Sequence, residues 1–169
     1  MRKVVLFIAT SLDGYIARPD GAIDWLFHDQ DYGYAQFYER VDYIVMGRKT
    51  YQMALSFERW PHSGKPTFVF TRTGVARGRP DVWLVDEDVS SLVGRLRPGG
   101  DGHIWLVGGA QLIRAFLEAD LLDELVISIH PVLLGSGIPL VQGAAVSRSY
   151  RLSSVQSYAT GLVQVSYGR

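Results

Sequence analysis

The sequence predicts an α/β domain built on a mixed, mainly parallel β-sheet, and three observations lead to this prediction. Short apolar runs rich in β-branched side chains alternate with helical segments along most of the chain. Several of these runs are apolar at consecutive positions, which is typical of strands buried on both faces of a sheet. The last two segments, 150–158 and 162–167, flank Thr160 and Gly161 and predict an antiparallel β-hairpin at the C-terminus.

The elements follow from the same patterns. Strands alternating with helices imply βαβ units, and the length favours a single domain over residues 1–169. The last helix carries an apolar stripe at helical spacing, which indicates core packing. The predicted strands are residues 4–9, 43–46, 67–71, 82–85, 104–107 and 124–129, and the predicted helices are residues 32–40, 48–55, 89–96 and 110–119.

Composition excludes several classes of function. The chain has 169 residues and no cysteine, which excludes thiolate metal sites, Fe–S clusters and disulfides. With 17 basic and 17 acidic side chains, nothing in the net charge favours a nucleic-acid or membrane partner. The four histidines lack metal-ligand spacing, and neither a GxSxG motif nor a Walker-type loop occurs.

The N-terminal apolar run, residues 4–9, superficially resembles a short secretion signal. It stops at Thr10 and Ser11, and Asp13 and Gly14 follow where a small-residue cleavage site would be needed. We therefore interpret the run as a buried first strand and expect a cytoplasmic protein.

Two turns are suited to an anion. Gly47, Arg48, Lys49 and Thr50 follow the strand at 43–46 and open a helix, whose unpaired N–H groups favour negative charge. The alternative is an ordinary strand-to-helix turn with two solvated cations.

Val107, Gly108, Gly109 and Ala110 form the second such turn, where two adjacent glycines allow close backbone contact with a ligand. The alternative here is simply tight helix–strand packing. Two anion-friendly turns together favour an extended, phosphate-bearing ligand.

Two further segments are candidates. Thr71, Arg72 and Thr73 end a strand, and the Arg72 fork matches phosphate geometry, although a solvated loop charge is an equal alternative.

The loop 11–25 is long enough to be a binding loop, and in it Trp25 offers an apolar wall for a flat ring. Asp24, Asp29 and Asp31 offer carboxylates for proton transfer, or else serve as local caps.

Taken in order, these pieces resemble the dihydrofolate reductase fold and, more closely, the reductase domain of bacterial riboflavin biosynthesis and its stand-alone relatives. The resemblance covers essentially the whole chain and implies a three-layer structure with helices on both faces of the sheet. It rests on the segments 9–14, 46–51, 107–109, 116–125 and 131–140.

The resemblance implies an NADPH-dependent reductase. Gly47, Arg48, Lys49 and Thr50 would hold the pyrophosphate and part of the 2′-phosphate, and Thr71 and Arg72 would lie beside the adenosine ribose. In dihydrofolate reductases the Gly-Gly peptide bond is cis. The resemblance also assigns to the cofactor Ala9 and Ile16, at the nicotinamide carboxamide, and Gly108 and Gly109, near the diphosphate. The remaining cofactor-binding candidates are Val107, Ala110, Gln111 and Leu112.

The substrate is less well defined. Phe7 stands where riboflavin-pathway reductases have a lysine, and Val107 stands where they have a glutamate, so two polar contacts to a phosphorylated, sugar-like substrate are lost. Asp31 or Asp24 is expected to deliver the proton, while Trp25 and Tyr51 are expected to shape the pocket.

Three hypotheses about function remain open. The first is hydride transfer from NADPH to a small heteroaromatic or sugar-derived C=N or C=O group. The second is a non-enzymatic NADP(H)-binding module, and the third is retained 5-amino-6-(5-phosphoribosylamino)uracil reductase activity. The family also implies a homodimer, with the segment 131–139 near the interface.

Overall fold

The computed structural model describes residues 1–72, 78–143 and 146–169, and within them an eight-stranded sheet is the central feature. Its strand order is β5-β4-β3-β6-β1-β7-β10-β9. The elements are β1 (Lys3–Thr10), β2 (Tyr15–Ala17), α1 (Tyr34–Glu39), β3 (Val41–Gly47), α2 (Arg48–Leu55), β4 (Thr67–Phe70), β5 (Val82–Val85), α3 (Val89–Leu96), β6 (His103–Gly108), α4 (Ala110–Glu118), β7 (Glu124–Ile129), β8 (Ile138–Pro139), β9 (Arg151–Ser157) and β10 (Val163–Gly168).

The sheet is mixed, as predicted. The six strands from β5 to β7 are mutually parallel, and the C-terminal hairpin adds β10 and β9 in antiparallel orientation. Because these six strands run in the same direction, their carboxyl ends all lie at one edge of the sheet. We call this edge, where β1, β3, β4, β6 and β7 end, the carboxyl edge.

Two hydrophobic clusters on opposite faces confirm the three-layer arrangement. Alternation along the strands divides their apolar side chains between the faces. The first cluster packs α3 and α4 against β1 and β6 and contains Leu6, Leu92, Leu106, Ile113 and Phe116. The second cluster packs α1 and α2 against β3, β4 and β6 and contains Ile44, Met46, Tyr51, Val69 and Trp105.

Several elements begin or end one or two residues away from the predicted bounds, and two other differences have a physical reason. The helix predicted at 32–40 begins only at Tyr34, because Tyr32 (φ 52°) and Gly33 (φ 77°) are left-handed and lie outside the α-helical region. A small second sheet was missed: β2 pairs antiparallel with β8, and both strands are too short to give an alternating pattern.

None of the helices in the described parts of the chain is long and apolar enough to cross a membrane. The same residues contain no group of three or more histidine or acidic side chains placed to hold a metal ion.

Candidate functional site

The two glycine turns lie side by side at the carboxyl edge. Because β3 and β6 are neighbouring parallel strands, Met46 pairs with Gly108. A Cβ on Gly47 would lie 3.7 Å from both the Gly108 oxygen and the Gly109 nitrogen, and a Cβ on Gly109 would lie 3.6 Å from Oγ1 of Thr50. The Gly108–Gly109 peptide bond is cis, and Gly108 has a φ of 125°. The turns thus form one glycine-lined surface, which we call the glycine cradle (residues 47–50 and 108–110).

The two helices that begin at this cradle, α2 and α4, differ from α3 in their N-cap residues. In α3 the Asp88 carboxylate accepts a hydrogen bond from the Ser91 N–H at 3.0 Å. In α2 and α4 the N-caps are Gly47 and Gly109, and neither start has a side-chain cap. Uncapped N–H groups and two adjacent helix dipoles favour an anion at this place.

The side chains around the cradle have different exposures. Lys49 and Gln111 are exposed, whereas Arg48 and Thr50 are half-buried. Ala110 and Leu112 are buried in the first turn of α4, so their backbones rather than their side chains are available to a ligand. Val107 packs against the second cluster.

The neighbouring strand β4 brings a third segment to the same edge. Phe70 pairs with Gly47, and the two residues that follow are Thr71 and Arg72. The Thr71 N–H donates to the Val85 carbonyl at 3.0 Å, and the Arg72 side chain is exposed. Thr73 falls outside the described residues.

The first strand reaches the carboxyl edge from the other side of β6. Ala9 is half-buried and pairs with Ser128 of β7. After Thr10, the Ser11 N–H donates to the Tyr15 carbonyl at 2.9 Å, which closes a tight turn and lays β2, with Ile16, against β1.

Asp13 gives this turn its shape, a role that the sequence motif did not reveal. Its carboxylate accepts from the Ser11 hydroxyl at 2.6 Å and from the N–H groups of Leu134 and Gly135 at 3.1 and 2.7 Å. The Ser11 hydrogen bond is the largest of the interactions that lower the pKa of Asp13 to about 2. Asp13 therefore ties two loops together as a carboxylate.

Trp25 lies in the core rather than on the surface. It is 8% exposed and its ring contacts His130 edge-on, with 5.3 Å between centroids. Its indole Nε1 is buried and has no partner among the described residues. Tyr51 differs more from the expectation: it is completely buried, and its hydroxyl accepts from the Gly78 N–H at 3.1 Å. Tyr51 therefore anchors α2 and leaves no surface for a substrate.

The two aspartates expected to move a proton occupy different surroundings. Asp24 is exposed and paired with Arg18 at 2.6 Å, and this hydrogen bond lowers the pKa of Asp24. Asp31 is exposed at the start of α1, where its carboxylate accepts from the Ala35 N–H at 3.0 Å.

A chain of contacts connects the Asp31 segment to β1. Gln164 donates to the Tyr32 carbonyl at 3.1 Å and to the Ser128 hydroxyl at 3.0 Å. Ser128 is the register partner of Ala9. Asp31 directly precedes Tyr32 and so lies at the far end of this chain of contacts.

Phe7, where the family resemblance implied a lysine, belongs to an aromatic group. Its ring stacks on Phe37 with 4.4 Å between centroids, and Tyr34 contacts it edge-on at 6.2 Å. These three rings pack against the second hydrophobic cluster. The face of β1 next to α1 is therefore aromatic and uncharged at this point.

Comparison with known proteins agrees with this arrangement. The family model of the RibD C-terminal domain matches residues 2–164. The chain belongs to this family.

Two relatives are similar over nearly their whole length. The uncharacterized Bacillus subtilis protein YwjB is 37% identical over 172 residues, which cover 99% of this chain and 98% of YwjB. A Shewanella sp. PV-4 structure, named "Putative riboflavin biosynthesis protein", is 39% identical with a TM-score of 0.88, covering 99% of this chain and 98% of that one.

A more distant structure shows the same fold. The Thermotoga maritima diaminohydroxyphosphoribosylaminopyrimidine deaminase/5-amino-6-(5-phosphoribosylamino)uracil reductase is 17% identical with a TM-score of 0.73, and the match covers 99% of this chain but 56% of that protein. The RibD-like, dihydrofolate reductase-like fold is thereby established, and membership of the RibD C-terminal domain family supports a reductase-type function.

The role of Asp13 can be tested by amide exchange. In Asp13→Asn the side chain keeps its size but loses its charge and one acceptor oxygen, so we expect at least tenfold faster exchange of the Leu134 and Gly135 amides. With the lowered pKa, the wild-type carboxylate stabilises the loops above pH 4 and loses this effect only as the pH falls through about 2. Wild-type protection should therefore stay constant from pH 7 to pH 4.

Asp20→Asn is the control, because Asp20 also accepts a backbone hydrogen bond, from Ala22, but at a distance from this loop pair. Unchanged exchange at Leu134 and Gly135 in Asp13→Asn would contradict the assigned role.

Proposed function

We propose that the chain is an NADPH-dependent reductase that works in the cytoplasm. The glycine cradle is the observation that carries this proposal, because two uncapped helix starts meet there and Gly47, Gly108 and Gly109 leave the backbone between them uncovered by their own side chains. Such a surface fits a diphosphate, whose oxygens require N–H donors and close backbone approach. Family membership supports the same cofactor class.

In this proposal, different residues around the cradle bind different parts of the cofactor. Gly47, Thr50 and Gly109 would hold the diphosphate, and the backbones of Ala9 and Ile16 would hold the nicotinamide carboxamide. When bound, NADPH supplies the hydride. The chain itself would orient the nicotinamide at the carboxyl end of β1, next to Ser128.

Preference for NADPH over NADH would come from cations near the adenosine ribose. Arg48 and Lys49 start α2, and Arg72 follows the neighbouring strand β4, which pairs with β3 up to Gly47. A 2′-phosphate interacts strongly with an arginine fork and more weakly with a point charge.

Titration of the purified protein with both nucleotides tests the proposal. We expect NADPH to bind at least tenfold more tightly than NADH, which corresponds to about 1.4 kcal/mol. Arg72→Gln should weaken NADPH binding and leave NADH binding unchanged, because only NADPH carries the 2′-phosphate. Arg40→Gln, an exposed arginine beside His103 at the opposite edge of the sheet, is the matched control.

Absence of binding by either nucleotide would refute the reductase assignment. Tight NADPH binding without turnover of any substrate in an oxidation screen would favour a binding module.

The aromatic group around Phe7 supports a flat heteroaromatic substrate. Phe7 and Phe37 stack at 4.4 Å at the position where the family resemblance implies a lysine, so this side of the site is aromatic and carries no cation. Turnover of the phosphoribosylaminopyrimidine of the riboflavin pathway, at a rate similar to that of a ring-only analogue, would contradict this part of the proposal.

Asp31 is the proton donor in this proposal. With a substrate from the screen, Asp31→Asn should slow single-turnover hydride transfer more than tenfold, because an amide cannot supply the proton. Asp24→Asn should stay within threefold, about 0.7 kcal/mol of barrier, since Asp24 is committed to Arg18. If both variants lose the same small factor in the rate of hydride transfer, neither Asp31 nor Asp24 is the proton donor.

We also propose that two copies associate through the C-terminal strands. Register places Ile127, Val165 and Val155 in one row, and the next row, Ser128, Gln164 and Gln156, faces the other way. One face of β7, β10 and β9 is therefore apolar and the other polar. Leu152 and Val155 are each 56% exposed.

We propose that this face is covered by the same face of a second copy of the chain. An exposed apolar face can pack against itself about a two-fold axis, which places the same residues of both copies in the interface.

Neighbouring residues of β9 provide a matched test. Val155→Lys should convert a dimer to a monomer in size-exclusion chromatography with light scattering, whereas Gln156→Lys, on the opposite face, should not. Leu133, 71% exposed in the segment 131–139, gives a third variant, Leu133→Lys. Dissociation by Leu133→Lys alone would move the interface to that segment, and a monomeric wild type would refute the dimer.

A further inference from the structure

His130 is a buried histidine that the proposed reaction does not use. It follows β7 directly and is 4% exposed. Its backbone N–H donates to the Thr10 carbonyl at 2.8 Å and so extends the pairing of β7 with β1 by one residue. The ring is therefore fixed at the carboxyl edge, beside the end of β1.

Both ring nitrogens of His130 have backbone partners, and these partners define the tautomer. Nδ1 lies 3.2 Å from the Ser128 carbonyl oxygen, which only accepts, so Nδ1 carries the hydrogen. Nε2 accepts from the Phe27 N–H at 3.1 Å and so carries none. The geometry requires the neutral imidazole with its hydrogen on Nδ1.

The same ring packs between two aromatic side chains of the loop at residues 24–28, which we call the Trp25 loop. Trp25 contacts it edge-on at 5.3 Å, and Phe27 contacts it at 5.0 Å with an interplanar angle of 59°. One imidazole thus joins the Trp25 loop to the sheet by a hydrogen bond and by two ring contacts.

We propose that His130 is the positioning residue that holds the Trp25 loop against the sheet, and that protonation of its ring releases the loop. A second hydrogen, on Nε2, would point at the Phe27 N–H, so two donors would face each other without an acceptor. Since the ring is almost completely buried, water could take over as acceptor only if the loop moved away.

The surroundings of His130 keep the ring neutral at neutral pH. Burial is the main cause that lowers its pKa, whereas the Ser128 carbonyl raises it and the neighbouring His28 has a smaller lowering effect. The nearby carboxylates are engaged elsewhere: Asp24 with Arg18, and Asp29 with the Tyr32 hydroxyl.

Asp13, on the turn after β1, is bound to Ser11, Leu134 and Gly135. Tyr158 and Thr160 of the C-terminal hairpin contact Tyr32 and not the imidazole. The ring therefore becomes protonated only when the pH falls below the ordinary pKa of histidine, about 6.5.

Nuclear magnetic resonance of the ¹⁵N-labelled protein without nucleotide tests this inference, so its outcome is independent of the proposed function. At pH 7.5 we expect His130 ring ¹⁵N shifts of the Nδ1–H tautomer. As the ring titrates, the protection factor of the Phe27 amide, corrected for intrinsic exchange, should fall at least tenfold. The Ile104 amide in β6 is the internal control and should keep its protection.

Two variants separate positioning from simple packing. His130→Phe keeps a ring between Trp25 and Phe27 but lacks an acceptor, so Phe27 protection should be low at every pH. His130→Gln supplies an acceptor that does not titrate, so protection should be retained and independent of pH. The wild-type titration alone decides the matter if either variant fails to fold.

Three results would overturn the proposal. The first is an Nε2–H tautomer at pH 7.5, and the second is constant Phe27 protection while the ring titrates. The third is an equal loss of protection at Ile104, which would indicate global unfolding instead of release of one loop.

Discussion

The pairing of β3 with β6 is the constraint on which the candidate site depends. Both strands end in glycine, and their parallel register brings Met46 opposite Gly108. The helix that follows each strand must then start at the same place, so the positive ends of two dipoles add. A shift of this register would separate Gly47 from the Gly108–Gly109 bond and remove the shared surface, even with every residue unchanged.

The main elements of the fold could be predicted because their patterns are local. The helices at 48–55 and 89–96 and the strands at 82–85 and 124–129 have the predicted bounds, since in each case an apolar pattern ends at a glycine, a charged residue or a turn. The start of α1 could not be read in this way. Tyr32 adopts a left-handed conformation, and its contacts with Thr160 and Gln164 involve residues that lie far away in the chain.

The structure has the two predicted strand-to-helix turns side by side, whereas it buries some of the side chains that were expected to face a substrate. The segments 47–50 and 107–110 could be recognised because glycine next to a helix start has a direct physical meaning. Tyr51 follows the first of these turns, yet its burial depends on the helix face that meets β3 and β4. Likewise, Asp13 belongs to a recognisable motif, but its partners at 134 and 135 are brought near only by tertiary structure.

The glycine cradle also has a thermodynamic consequence. Its two halves lie about sixty positions apart in the sequence, on either side of β4, β5 and α3, so no local unit of the chain contains it. A ligand bound there would stabilise only forms of the chain in which β3 and β6 are paired, and no form in which they are apart. At a free concentration one hundred times its Kd, such a ligand adds about 2.7 kcal/mol to the free energy of unfolding. If that ligand is the proposed nucleotide, its concentration would help to set the amount of folded protein.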